Sequence, residues 1–256
     1  MADRFSECLE FTLQYEGGDS NDPRDPGGAT RNGITQGSYD TWRKQNGRPT
    51  QSVFKMNTLE RNAIYLANYW NAMACGTRPP GVDLALFDAG VNSGTKRALE
   101  WKSAVPGTDR VATIKGICAR RLSFVEGLRT FAIYGKGWRK RIAACEAEAI
   151  KVAAGDTAPE VLAFEARAAA AKAASTKTMI ATTASAGAGV GLVHQSFGGQ
   201  AWLTILFLLL IVVGVVILII RRKNQETRAQ ALDAAAKTAV TIISTTNRAK
   251  TGGTNV

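Results

Sequence analysis

The sequence holds a single histidine, His194, and no C-x-x-C pair among its four cysteines. Zinc hydrolases usually need two or three imidazoles, so that chemistry is set aside, and no cofactor or metal is expected. Cys8, Cys118 and Cys145 fall in helix-like apolar patterns, where a free thiol behaves as a small hydrophobe rather than half of a disulfide. Dense blocks of like charge are also lacking. The net charge of +11 is spread along the chain, which suits a polyanion such as an acidic wall polymer but supplies no nucleic-acid motif. The start, Met1–Phe5, has no basic leader followed by an apolar run, so no cleavable signal peptide is expected. Strand-like alternation is nearly absent, and the predicted fold is mainly α.

Helical periodicity fills most of the first 150 residues. Phe5, Cys8, Leu9, Thr12 and Leu13 make an i, i+3, i+4 stripe that runs up to Glu16-Gly17-Gly18. Thr35 can cap a short helix carrying Tyr39 and Trp42. Asn57 and Glu60 have the spacing of a capping box, opening a helix through Leu59, Ala63, Leu66 and Trp70. Further helices are predicted at Val82–Asn92, Thr95–Ala104, Val111–Leu128 and Trp138–Ala154, and Thr30–Ile34 could add a small ribbon. The expected domains are 1–95 (catalytic), 96–154 (a second helical region), 155–200 (an Ala/Thr/Gly-rich flexible linker), 201–220 (a membrane span) and 221–256 (a polar tail).

The span is predicted from Ala201–Ile220, an apolar run interrupted only by Thr204 and Gly214. Twenty residues at 1.5 Å rise cover about 30 Å, a bilayer core. Trp202 and Arg221-Arg222-Lys223 stand where interfacial anchors stand, and the basic side predicts a cytoplasmic C-terminus. The expected location is therefore the inner membrane, single-pass, with the catalytic domain acting on the wall side. A leaderless enzyme so placed needs either a late export signal in the span or a partner such as a holin-like pore.

Chemistry concentrates in Glu16–Thr35, where two glycine pairs and Pro23 and Pro26 shape a turn-rich stretch. Gly17 and Gly18 are expected to stop the first helix through a left-handed turn, leaving Glu16 on its last turn, partly buried. Glycosidases need a carboxylic acid that keeps its proton near neutral pH to protonate a leaving oxygen, and withdrawal from water at a helix C-terminus favours that state. A second polar group usually holds or activates water. Asp25 lies nine residues and Thr30 fourteen residues after Glu16; Asp22 competes, and both aspartates also suit turns before proline. Asn92 and Ser93 either line a saccharide cleft or cap a helix before Gly94, and Tyr69 and Trp70 either stack on sugar or belong to the core.

These residues resemble the glycoside hydrolase family 108 muramidases, whose hallmark reads E-G-G-(aromatic)-x-(N/D)-(D/x)-P-x-D-P-G-G-A-T-x-x-G-I-T. Glu16-Gly17-Gly18, Asn21-Asp22-Pro23, Asp25-Pro26-Gly27-Gly28-Ala29-Thr30 and Gly33-Ile34-Thr35 match it, as do Tyr69-Trp70 and Leu86–Gly94. The stretch from Arg121-Leu122-Ser123-Phe124 through Gly137–Arg141 looks like the accompanying peptidoglycan-binding region. The resemblance implies a lysozyme-like helical fold, the glycan strand of bacterial peptidoglycan as substrate, cleavage after N-acetylmuramic acid, and Glu16 as the catalytic acid. Asp19 departs from the pattern by replacing the aromatic, which puts an extra negative charge near Glu16.

The expected function is a phage- or prophage-type lysozyme, with Glu16, Asp25 and Thr30 catalytic and Asn92, Tyr69 and Trp70 on the substrate. A lytic transglycosylase uses one glutamate too, and a non-catalytic membrane-anchored wall-binding protein would use none; a nucleic-acid-binding role has only the positive charge behind it.

Overall fold

The structure, a computed structural model, describes residues 3–21, 28–105, 107–188 and 201–251 of the chain, with side chains at 184–188, 201–204, 207 and 247–251 outside the described set. The chain divides into two compact units, Met1–Ile133 and Tyr134–Val256.

The first unit is built on a helix that is buried along most of its length. This helix, α4 (Val82–Ser93), buries every residue from Val82 to Gly90, as a central helix must. Against it pack α1 (Arg4–Leu13), α5 (Thr95–Ser103) and α6 (Arg110–Glu126). Arg4 ties α1 to α4 through a two-pronged ion pair, Nε and Nη2 each 2.9 Å from the Asp83 carboxylate, the geometry in which Arg–carboxylate pairs are strongest. Three two-residue strands, β1 (Asp19–Ser20), β2 (Thr30–Arg31) and β3 (Ile34–Thr35), form an antiparallel sheet in chain order, pairing Asp19 with Arg31 and Arg31 with Ile34. Thr35 caps α2 (Gln36–Gln45), accepting from the Ser38 amide.

Helix α3 (Thr58–Tyr65) opens with the capping box read from the sequence, Asn57 and Glu60 each accepting from the other's backbone. Its buried face differs from the expected stripe. Leu59 is 80% exposed while Glu60, Ile64 and Tyr65 are buried. The inward face is selected by polar bonding. Glu60 accepts from the Tyr39 hydroxyl at 2.6 Å, from Arg43 at 2.5 Å and from Arg48 at 3.0 Å. Burial works against ionisation of Glu60, but the bonds from Tyr39, the Asn57 amide and Arg48, with the charge of Arg43, outweigh it and lower its pKa. A carboxylate depressed below its unfolded value contributes stability that is complete above that value and lost as the pH falls through the folded one. Thermal melts are therefore expected to drop as the pH is lowered below about 4.5, and Glu60→Gln, already less stable at pH 7, should show a flatter acid limb.

After Tyr65 the helix changes register. Leu66–Asn71 forms a π-turn rather than continuing as α-helix, which re-aims the following side chains.

The four cysteines are all free and buried. Burial pushes the Cys75 thiol up to about 12, with Asp83 adding to it, and raises Cys8 for the same leading reason. A bulky thiol reagent at pH 8 is expected to find no reactive cysteine in the native protein and all four after denaturation.

In the second unit, α8 (Ala158–Ala188) and α9 (Ala201–Thr251) pack along each other. The expected flexible linker is thus corrected over 158–188. The stretch is Ala-rich, the best helix-forming composition, and Leu162, Ala166, Ala169 and Ala173 are buried, as are Leu232, Ala236 and Ala239 of α9. Within this unit α7 (Phe131–Ala154) buries Ile142, Cys145, Ala149 and Ile150. Arg228 joins the three helices, donating to Glu146 of α7 at 2.7 Å and to Glu165 of α8 at 3.0 Å.

The membrane span is corrected as well. Among the described residues no helix is long and apolar enough to cross a membrane. The apolar run 201–220 forms the start of α9 (Ala201–Thr251). Helix α9 then continues through Arg221, Arg222 and Lys223 without a break. The single-pass inner-membrane location, its topology and the bilayer contact through 201–220 fall with that finding.

Candidate active site

Helix α1 ends at Leu13, one turn before Glu16. The chain tightens there instead of stopping at a left-handed glycine: the Gln14, Tyr15 and Glu16 amides donate to Phe11, Thr12 and Leu13 at 3.2, 3.0 and 3.4 Å. These i→i+3 bonds are the tighter turn common at helix ends. Gly17 and Gly18 do not have positive φ, and a side chain at either would meet open space. The left-handed stop expected at Gly17-Gly18 is therefore absent. Glu16 lies just beyond the helix, half-buried.

Its carboxylate rests on the tip of the β2–β3 hairpin. The two-residue loop Asn32-Gly33 has φ of +47° and +72°, the type I′ turn that Asn-Gly favours between antiparallel strands. A methyl group at Gly33 would stand 2.8 Å from Glu16 Oε2, 3.5 Å from Glu16 Cδ and 3.3 Å from the Tyr65 hydroxyl. Only glycine gives both the backbone conformation and the room for the carboxylate. Tyr65, 1% exposed, donates its hydroxyl proton to the Asn32 carbonyl at 2.7 Å.

Tyr69 follows on the π-turn, its ring 5.5 Å from that of Tyr65. Burial, then the nearby Glu16 carboxylate, holds its hydroxyl above the ordinary phenol range. Trp70, the next residue, points the other way. It is 6% exposed and packs edge-on against Phe5 at 5.6 Å and Phe87 at 5.6 Å, so its ring belongs to the core.

Thr30 sits on β2, half-buried, and its hydroxyl donates to the Gly28 carbonyl at 3.0 Å. Asp25 and Asp22 lie outside the described residues. Asn92, on the last turn of α4, accepts through Oδ1 from Arg121 Nη2 at 3.0 Å and Nε at 3.3 Å. Gly94 takes the C-cap with φ of +91°. Asp19 is no lone charge beside Glu16: its carboxylate lies 3.4 Å from Arg31 Nε across the β1–β2 ladder.

The structure thus brings Glu16 together with Gly33, Tyr65 and Tyr69. Tyr65 and the turn were not singled out from the sequence as site residues. The available signal was the Asn-Gly dipeptide between short strands, which fixes a hairpin type and hence which backbone faces the acid.

The glycosyl hydrolase 108 family matches residues 9–94, the segment that holds all of these groups. No curated protein sequence matches the chain. Among solved structures, the chain is similar to SagA of Brucella abortus, at 30% identity and a TM-score of 0.51, over 58% of this chain and 95% of that one. With the relative covered almost end to end at that identity, the chain belongs to the glycosyl hydrolase 108 family and is a glycoside hydrolase.

Proposed function

We propose that the protein is a peptidoglycan hydrolase of the N-acetylmuramidase type, cleaving the glycan bond after N-acetylmuramic acid with Glu16 as general acid. The observation that carries this reading is the half-buried Glu16 carboxylate, held on a glycine whose Cβ would collide with it, inside the segment matched by a glycoside hydrolase family. Glu16 protonates the departing glycosidic oxygen while a positioned water attacks the anomeric carbon. Asp25 and Thr30 are assigned to that water. Thr30 suits the task because its one proton is committed to Gly28, which leaves its lone pairs to orient a water proton. Tyr69 is assigned to sugar contact, as the half-buried ring beside the acid. Asn92 has its carbonyl oxygen held by Arg121, so its amide N–H groups are what it can offer a saccharide. Trp70 supports the site by fixing the π-turn in the core. The biological role that fits is phage-type lysis or wall remodelling.

Mass spectrometry of digested sacculi tests the reaction. Reducing muramic ends are expected. Anhydro-muramic ends would instead identify a lytic transglycosylase, which also needs only one glutamate.

A further inference from the structure

The tyrosine beneath the catalytic turn has a hydroxyl that the core does not need. Tyr65 is buried against Tyr69 and Phe87, at ring distances of 5.5 and 6.4 Å, and a phenylalanine would fill the same volume. The hydroxyl donates to the Asn32 carbonyl, 2.7 Å away. In a type I′ turn the carbonyl of the first central residue is not used by the turn's own i→i+3 hydrogen bond, so Tyr65 supplies a bond that the hairpin cannot make for itself. The next residue is Gly33, whose bare Cα face lies against Glu16.

We propose that Tyr65 is the positioning residue for Glu16: its hydroxyl pins the Asn32–Gly33 turn, and the pinned turn is the seat that sets the direction of the acid. The proposal rests on the reading of Glu16 as the acid. Through its bond to the Asn32 carbonyl, Tyr65 acts on Asn32 and Gly33, and through them on the acid. The Tyr65 ring is anchored in the core beside Phe87 of α4, so the hairpin tip is referenced to the buried central helix of the unit. Without the hydroxyl, strands of two residues each would leave the tip free to drift from the carboxylate. Displacements on the order of 1 Å at a reacting group cost rates by up to about a hundredfold.

The test uses the 256-residue chain with soluble, uncross-linked glycan strands, so that kcat and KM are read separately, together with a thermal melt. Tyr65→Phe is expected to lower kcat about tenfold or more while KM stays within about twofold, the pattern of a lost transition-state alignment, with the melting temperature near that of the parent. Gly33→Ala, at an exposed turn, is expected to lower kcat in the same way by pushing on Glu16 Oε2. Glu16→Gln is run beside them. If Glu16→Gln is inactive but Tyr65→Phe or Gly33→Ala keeps the parental kcat, or raises KM alone, the seat is refuted and the acid assignment stands. If Glu16→Gln keeps the parental rate, the acid assignment fails and the seat fails with it.

Discussion

Glu16→Gln is expected to lower the rate of wall clearing by about a hundredfold to ten-thousandfold, the range that a positioned general acid contributes. The substitution is nearly isosteric and removes only the transferable proton. Substrate contacts are kept, so the loss should fall on kcat and leave KM close to the parent's. The melt should also be unchanged, since Glu16 is half-buried beyond the end of α1 and packs on a turn rather than in the core. Thr30→Ala is expected to cost less, because a water can still reach the sugar without its guide. Turbidity assays on sacculi with purified variants check both, and a Glu16→Gln variant that clears walls at the parental rate would remove the acid from the mechanism.

What the sequence made legible here was whatever is encoded over a few residues. The capping box at Asn57 and Glu60 is a local reciprocal bond, and it needs no tertiary context to be read. The Glu16–Thr35 segment was legible for a related reason, since closely spaced glycines and prolines restrict the backbone whatever surrounds them. The end of α1 was placed too late because Gly17 and Gly18 permit a left-handed stop without requiring one. The face of α3 was misphased because periodicity weighs Leu59 as apolar and Glu60 as charged, whereas the Tyr39–Arg43–Arg48 cluster makes burial of the carboxylate favourable. The π-turn at Leu66–Asn71 inserts one residue into a helical repeat, and that separates Tyr69 from Trp70 in a way that no helical wheel shows. Over 158–188, composition suggested a flexible linker, but alanine is both the small residue of linkers and the strongest helix former; a partner helix of complementary apolar surface decided between them.

Arg121 is the other residue whose weight sequence reading missed, and its replacement should have the largest effect on stability. It falls on the buried stripe of α6 with Ile114, Ile117, Cys118 and Val125, and its partner is Asp88, an acid in the middle of the apolar helix α4. Both side chains are closed to solvent, with Nη1 2.6 Å from Asp88 Oδ2, while the rest of the guanidinium holds Asn92. A pair like this contributes little beyond what a well-packed apolar pair would, because desolvation offsets most of the attraction. Removing one member is another matter. Arg121→Met leaves the Asp88 carboxylate buried without its cation, a loss of about 3–5 kcal/mol, and for a unit of this size the melting temperature should fall by about 10–20 °C. Arg121→Lys keeps the charge but has no fork to reach Asp88 and Asn92 together, so it should fall in between. The double variant Arg121→Met with Asp88→Leu should recover most of the loss, because no buried charge is then left unpaired. Thermal melts of the parent, Arg121→Met, Asp88→Leu and the double variant form a cycle that separates the pair from its parts. If the double variant were less stable than Arg121→Met, the ion pair would not be what holds α4 to α6. Since Asn92 lies on the last turn of α4, the same guanidinium that ties the two helices also fixes the amide near the end of the central helix.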